Sequence, residues 1–245
     1  MSGLNVMFVL AGNCRTFIDC FDSMYSNIIS KLFSEGTSNN IFLYLYLKLN
    51  DPGPKGQANW DFQYKDIEYN ILIEKINEIK EKYLNIHVDY KILSSNAISD
   101  DEIMRKVKDR RLYINFFNND NFLLRALHCH YNLEECGKYI LQKEQSLNIK
   151  FDYLMYIRPD LFFMNPCNTI ETYNKSVVTL GKGPNDYNND HIALIPRQHL
   201  EAFFFDRIKV YENNTSKYFE SAESVYWHTI IFEVKPIGDY YIKRS

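Results

Sequence analysis

Apolar residues follow two rhythms along this chain. Short runs at 6–10, 41–47 and 153–157 are apolar throughout, rich in β-branched and aromatic side chains and too short for helices; the stretch 86–93, IHVDYKIL, alternates apolar with polar residues and is likewise expected to be a strand. The apolar runs suit strands buried on both faces. Between them the spacing turns helical and predicts helices over about 17–33 and 67–83. The longest predicted helix carries Phe122, Ala126, Cys129, Leu133, Cys136 and Ile140 at intervals of four and three, a core-facing stripe. His128 and His130 lie off that stripe, without a metal-binding partner four residues away, and read as ordinary helix residues. The charged segment 100–111, with Arg105, Lys106, Lys108, Arg110 and Arg111, reads as a solvated helix.

The pattern changes after the run at 153–157. A second apolar run, 161–164, turns back into the core. Strands are expected at 177–180 and 191–195 around the polar loop GKGPNDYNND, then a helix over 198–211, another starting near Ser221, and a last strand at 232–237. Strand–helix alternation followed by mixed elements predicts an α/β fold: a mostly parallel central sheet flanked by helices, with a small antiparallel addition. The segment 50–66, with Pro52, Gly53, Pro54, Gly56, Trp60 and Tyr64, reads as an irregular loop of a length usually tied to function or disorder. With no Gly/Ser tract or Pro-rich linker, residues 1–245 are read as a single domain.

Composition narrows the function classes. A net charge of −3 offers no general attraction to nucleic acid or an anionic membrane, so an anionic ligand must be met locally. Five cysteines, Cys14, Cys20, Cys129, Cys136 and Cys167, are an odd number without CxxC spacing, which argues against a zinc ribbon or a fully paired disulfide framework. Reduced thiols fit a cytoplasmic protein. The run 6–10 has no basic residue before it and makes a poor signal peptide, and no run reaches transmembrane length.

Two predicted strand ends carry chemistry. The first is Gly12-Asn13-Cys14-Arg15-Thr16, a strand–turn–helix junction whose amides and guanidinium suit an anion. It is neither a P-loop nor a dinucleotide fingerprint, and a plain turn reads as well. The second is Arg158-Pro159-Asp160 within FDYLMYIRPDLFFMNP. Pro159 cannot donate to a ladder and holds Arg158 extended, so the strand stops there and leaves both charges at its carboxyl end. Open α/β sheets bind ligands at that edge. Asp160 is suited to one Mg²⁺ or Mn²⁺, and Arg158 to a bidentate grip on a diphosphate; a structural ion pair between the two is the alternative.

Taken together, AGNCRTF after the first strand, a long helix and then FDYLMYIRPDLFF resemble the small GT-A type glycosyltransferases that build bacterial and viral surface glycans. The resemblance runs from about residue 5 to residue 235 and is specific around the RPD segment. It implies a Rossmann-like GT-A domain, a nucleotide-sugar donor, a glycan acceptor and a divalent cation. In that family an Asp-x-Asp motif carries the cation and the donor diphosphate. Here Asp160 matches the second Asp and Arg158 replaces the first, and one carboxylate binds a cation more weakly than two. The resemblance further implies that Asn189-Asp190-His191 faces the acceptor, with His191 among the substrate contacts, and that Glu220 or Glu223 supplies the base of an inverting reaction. A carboxylate there would take the acceptor proton. Capping for the glutamates and a turn for Asp190 are the structural alternatives, and His228 is read as structural. On these grounds Glu223 and Asp190 are the catalytic candidates, and Gly12, Asn13, Arg15, Thr16, Arg158, Asp160 and His191 the donor-side candidates.

Two other classes compete. A sulfotransferase is suggested by the Gly-x-x-Arg-Thr after the first strand, although it leaves Arg158-Pro159-Asp160 without a role. A non-catalytic glycan-binding module would need only an aromatic surface such as Trp60, Tyr64 and Tyr187.

Overall fold

The computed structural model describes residues 3–34, 38–49, 67–114, 120–182, 188–213, 225 and 229–242; the side chains of residues 111, 114, 120–122, 188–190 and 242 lie outside that description. The chain forms two compact units, one of residues 1–95, 150–197 and 233–245, the other of 96–149 and 198–232.

The first unit is organised on a seven-stranded sheet. Its chain begins with β1 (Asn5–Asn13), α1 (Phe17–Met24), β2 (Asn40–Lys48), α2 (Tyr69–Lys82) and β3 (Ile86–Leu93). After the second unit's first segment come β4 (Tyr153–Ile157), β5 (Leu161–Phe163), β6 (Val178–Lys182) and β7 (Asn188–Pro196). β8 (Phe232–Lys235) and β9 (Tyr240–Ile242) follow the second unit's last segment. The sheet order is β3-β2-β1-β4-β7-β6-β8. The first four strands pair in parallel, and β7 and β6 continue antiparallel. This is the mixed α/β architecture the sequence pattern predicts.

Strand alternation explains the core. Phe8, Leu10, Leu43, Leu45, Met155 and Ile157 share one sheet face and pack with Phe17, Phe21, Leu72 and Ile76 from the two helices. A single carboxylate ties those helices together: Asp22 of α1 accepts from Lys75 (3.3 Å), Lys82 (3.0 Å) and the Tyr83 hydroxyl (2.9 Å). Burial alone would raise the Asp22 pKa, but the hydrogen bonds from Lys82 and Tyr83 outweigh it and hold the carboxyl below its ordinary value.

Several boundaries differ from expectation. α1 stops at Met24 and the chain continues through a π-helical turn, Tyr25–Ile29, closed by Ser30 N–H donating to the Tyr25 carbonyl at 2.9 Å. The predicted helix at 198–211 breaks at Phe205 into α6 (Leu200–Phe204) and α7 (Asp206–Asn213) of the second unit. The run 161–164 re-enters the core through Leu161 and Phe163 as expected, but as β5 of a separate two-stranded antiparallel sheet with β9, a strand the sequence reading missed.

In the second unit the segment 100–111 is a single turn of helix, α3 (Asp100–Met104), capped by Ser99, whose hydroxyl accepts from Glu102 N–H at 3.2 Å. α4 (Arg111–Ile114) and the 28-residue α5 (Asp120–Leu147) follow. Beyond α5, Asn148 adopts φ 50°, the left-handed conformation that lets a helix end. Of the predicted stripe on α5, Ala126, Leu133, Cys136 and Ile140 are buried as expected, and the buried face is wider than that stripe. Leu123, Leu127, His130 and Leu133 are buried, whereas Cys129 is exposed. Both histidines are buried as well; His128 Nε2 lies 2.7 Å from an Asp100 carboxylate oxygen, and the His130 ring packs 5.7 Å from that of Tyr211.

Candidate active site

The parallel strands present their carboxyl ends along one edge, and register decides what meets there. Asn13, the last residue of β1, pairs with Lys48, the last of β2. On the other side of β1, Leu10 pairs with Ile157, so Arg158 follows directly at the end of β4. The Arg158 N–H donates to the His191 carbonyl at 2.8 Å, which fixes β7 against the same edge. Asn13, Lys48, Arg158 and the His191 backbone are thereby gathered within the first unit by main-chain pairing alone.

Pro159 ends the strand as predicted. It also explains Gly12, which has φ 145°, a region L side chains rarely adopt, and whose absent Cβ would lie 3.2 Å from Pro159 Cδ. A small residue at the end of β1 lets the RPD turn close over it.

The turn places its two charges against each other. Arg158 Nε donates to Asp160 Oδ1 at 3.1 Å and Nη2 to Oδ2 at 2.7 Å, a bidentate fork. The Asp160 side chain is 6% exposed and that of Arg158 is 30% exposed. The carboxylate is thus sequestered while the guanidinium retains an open side.

The other predicted residues fall as follows. Cys14 N–H donates to the Lys48 carbonyl at 3.0 Å, which ties the turn after β1 to β2. Arg15 is half-buried in that turn. Thr16 is buried at the start of α1; its carbonyl accepts from Asp19 and Cys20 N–H, and its hydroxyl lies 3.8 Å from Cys20 Sγ. The His191 ring is partly buried, 6.3 Å from the ring of Tyr240. Asp190 belongs to β7, but its side chain lies outside the described residues, as do Glu220, Glu223 and His228 entirely. Trp60, Tyr64 and Tyr187 also lie outside them.

Lys48 was missed from sequence. The available signal was a cation directly after IFLYLYL, at the same end of its strand as Arg158. A separate cavity of about 230 Å³ lies at the opposite, amino end of the strands, lined by Tyr25, Phe33, Asn39, Ile41 and Asn85.

Magnesium and manganese favour near-octahedral shells of oxygen ligands. Both oxygens of Asp160 are engaged by Arg158, and among the described residues no group of three His, Cys, Asp or Glu side chains gathers around a point. The described donor set does not fit a resident divalent cation. None of the described helices is long and apolar enough to cross a membrane.

No family model matches the chain, and no curated protein matches it in sequence. Similar solved structures include the galactosyltransferase LgtC in complex with donor and acceptor sugar analogues, at 9% identity and a TM-score of 0.42, covering 93% of this chain and 71% of that one. Mouse xyloside xylosyltransferase 1 gives 7% identity and 0.45, covering 95% and 85%. The bifunctional glycosyltransferase WbbM gives 10% and 0.41; this chain spans 95% of its own length and 39% of that chain. All three neighbours are glycosyltransferases. At TM-scores below 0.5 these likenesses carry no argument about activity, which has to come from the residues.

Proposed function

We propose that the chain is a glycosyltransferase that moves a sugar from a nucleotide-diphosphate sugar to a hydroxyl of a glycan acceptor, within a GT-A-like domain. The observation that carries this reading is the Arg158-Pro159-Asp160 turn at the carboxyl end of β4, closed over Gly12 at the end of β1. That edge is where open α/β sheets take nucleotides, and it offers a guanidinium for a diphosphate. The chemistry is a displacement at the anomeric carbon. Its bond to the diphosphate oxygen breaks with the electron pair leaving on oxygen, and the acceptor oxygen bonds to the carbon. A carboxylate takes the acceptor proton, with Glu223 or Asp190 as the candidate and an inverted product as the outcome. Arg158 would offset the charge that develops on the departing diphosphate, the usual largest contribution of a preorganised site. Arg15 and the turn amides would bind the donor beside it, in a cytoplasmic enzyme.

A thermal-shift panel tests the class. UDP or GDP should raise the melting temperature, because a ligand that binds only the folded state stabilises it. Stabilisation by adenosine 3′,5′-bisphosphate alone would indicate a sulfotransferase, and no response to any nucleotide a glycan-binding module.

A further inference from the structure

We propose that the donor diphosphate is held by two fixed side-chain cations, Arg158 and Lys48, standing where a metal ion would otherwise sit. This rests on the glycosyltransferase reading and specifies how that site binds its donor.

Three observations converge on it. First, the carboxylate in the cation-binding position is already committed: both Asp160 oxygens accept from Arg158 and the side chain is 6% exposed. A metal at Asp160 would compete with a bidentate guanidinium for a sequestered carboxylate. Second, sheet register brings another cation to the same place. Val9 pairs with both Tyr44 and Tyr156, so Tyr44, Tyr46 and Lys48 alternate on the same face as Tyr156 and Arg158. Two strand spacings, about 10 Å, separate β2 from β4, and the long Lys and Arg side chains can close on a ligand between them. Between them, Asn13 at the end of β1 is in register with Lys48 and lies on the same face, whereas Gly12 lies on the opposite one.

Third, the charges balance differently from a metal site. Two carboxylates and a divalent cation sum to zero. Arg158 and Asp160 also sum to zero, and Lys48 adds a further cation, not a carboxylate, at the same sheet edge. A divalent cation placed between Lys48 and Arg158 would meet like charges on both sides, whereas a diphosphate meets opposite ones. Arg158 supplies a planar fork for two phosphate oxygens and Lys48 a point charge for a third. Asp160 is a positioning residue: it holds the guanidinium at the strand end.

Calorimetry on the whole chain with UDP, GDP, ADP and CDP, each in EDTA and in Mn²⁺, tests this. The expected result is a nucleotide diphosphate whose Kd in EDTA lies within about twofold of its Kd in Mn²⁺. Lys48→Met should weaken it on the order of tenfold, Lys48→Arg should retain it, and both should melt close to the wild type. The matching monophosphate should respond less to Lys48→Met, a contrast that a merely structural role would not produce. Binding that appears only with Mn²⁺, or a well-folded Lys48→Met with unchanged affinity, overturns the inference and leaves the transferase reading standing. Absence of binding by every diphosphate under both conditions overturns both.

Discussion

Arg158 grips Asp160 through two parallel hydrogen bonds of 3.1 and 2.7 Å, across the proline that ends the central strand. Because the carboxylate is sequestered, its loss should be felt in stability as well as function. Asp160→Ala leaves the guanidinium without its acceptor and should cost about 1–3 kcal/mol in urea denaturation. Turnover should nearly vanish, because Arg158 is no longer held at the strand end. Asp160→Asn keeps the shape and one acceptor and should recover most of the stability. Full turnover and an unchanged midpoint in Asp160→Ala would contradict this role.

Gly12 is the permissive point on which the turn closes. Gly12→Val combines an unfavourable φ with a Cβ 3.2 Å from the Pro159 ring. A loss of about 1–3 kcal/mol is expected, together with weaker nucleotide affinity as the RPD turn shifts. Gly12→Ala should show the same effects in smaller measure. A Gly12→Val protein with wild-type stability and affinity would show that the two strand ends move independently.

The proton acceptor is tested by isosteric change. Glu223→Gln should leave donor affinity intact and slow turnover on the order of a hundredfold, the usual worth of a general base. A capping glutamate would instead alter stability by about 1 kcal/mol and leave turnover nearly unchanged. Asp190→Asn measured alongside decides between the two carboxylates. If neither change slows transfer, the inverting assignment fails.

Asp22 should make stability depend on pH in a stated direction. Its folded pKa lies below the ordinary value of 3.8, so the unfolded chain takes up the proton first as pH falls. The contribution is therefore fully present above the ordinary carboxylate range. It begins to be lost near pH 3.8 and is gone below the folded pKa. Urea midpoints from pH 6 down to pH 2 should show Asp22→Asn less stable at pH 6 and converging with the wild type in acid. Parallel curves across that range would remove Asp22 from the link between α1 and α2.

Much of the framework was legible without coordinates because its signals are local. Runs such as IFLYLYL cannot be solvated and are too short for helices, and Pro159 ends its strand by chemistry that needs no neighbour. The order of strands and helices, and the placing of Arg158 and Asp160 at a strand end, follow from such signals. What sequence could not decide depends on pairing between distant segments. Lys48 joins the candidate site only because β2 pairs with β1 in a register that sets it beside Asn13. β9 is three residues long and exists as a strand only against β5. That Cys129 is exposed and His130 buried on α5, where the rest of the described stripe is covered as predicted, depends on which neighbour covers each position, and a periodic pattern shows only that a face will be covered. The bidentate closure of Arg158 on Asp160 is likewise tertiary. Residues two apart on an extended strand share a face but stand about 7 Å apart, and these two close into a bidentate fork because the proline turn, packed over Gly12, brings one back onto the other.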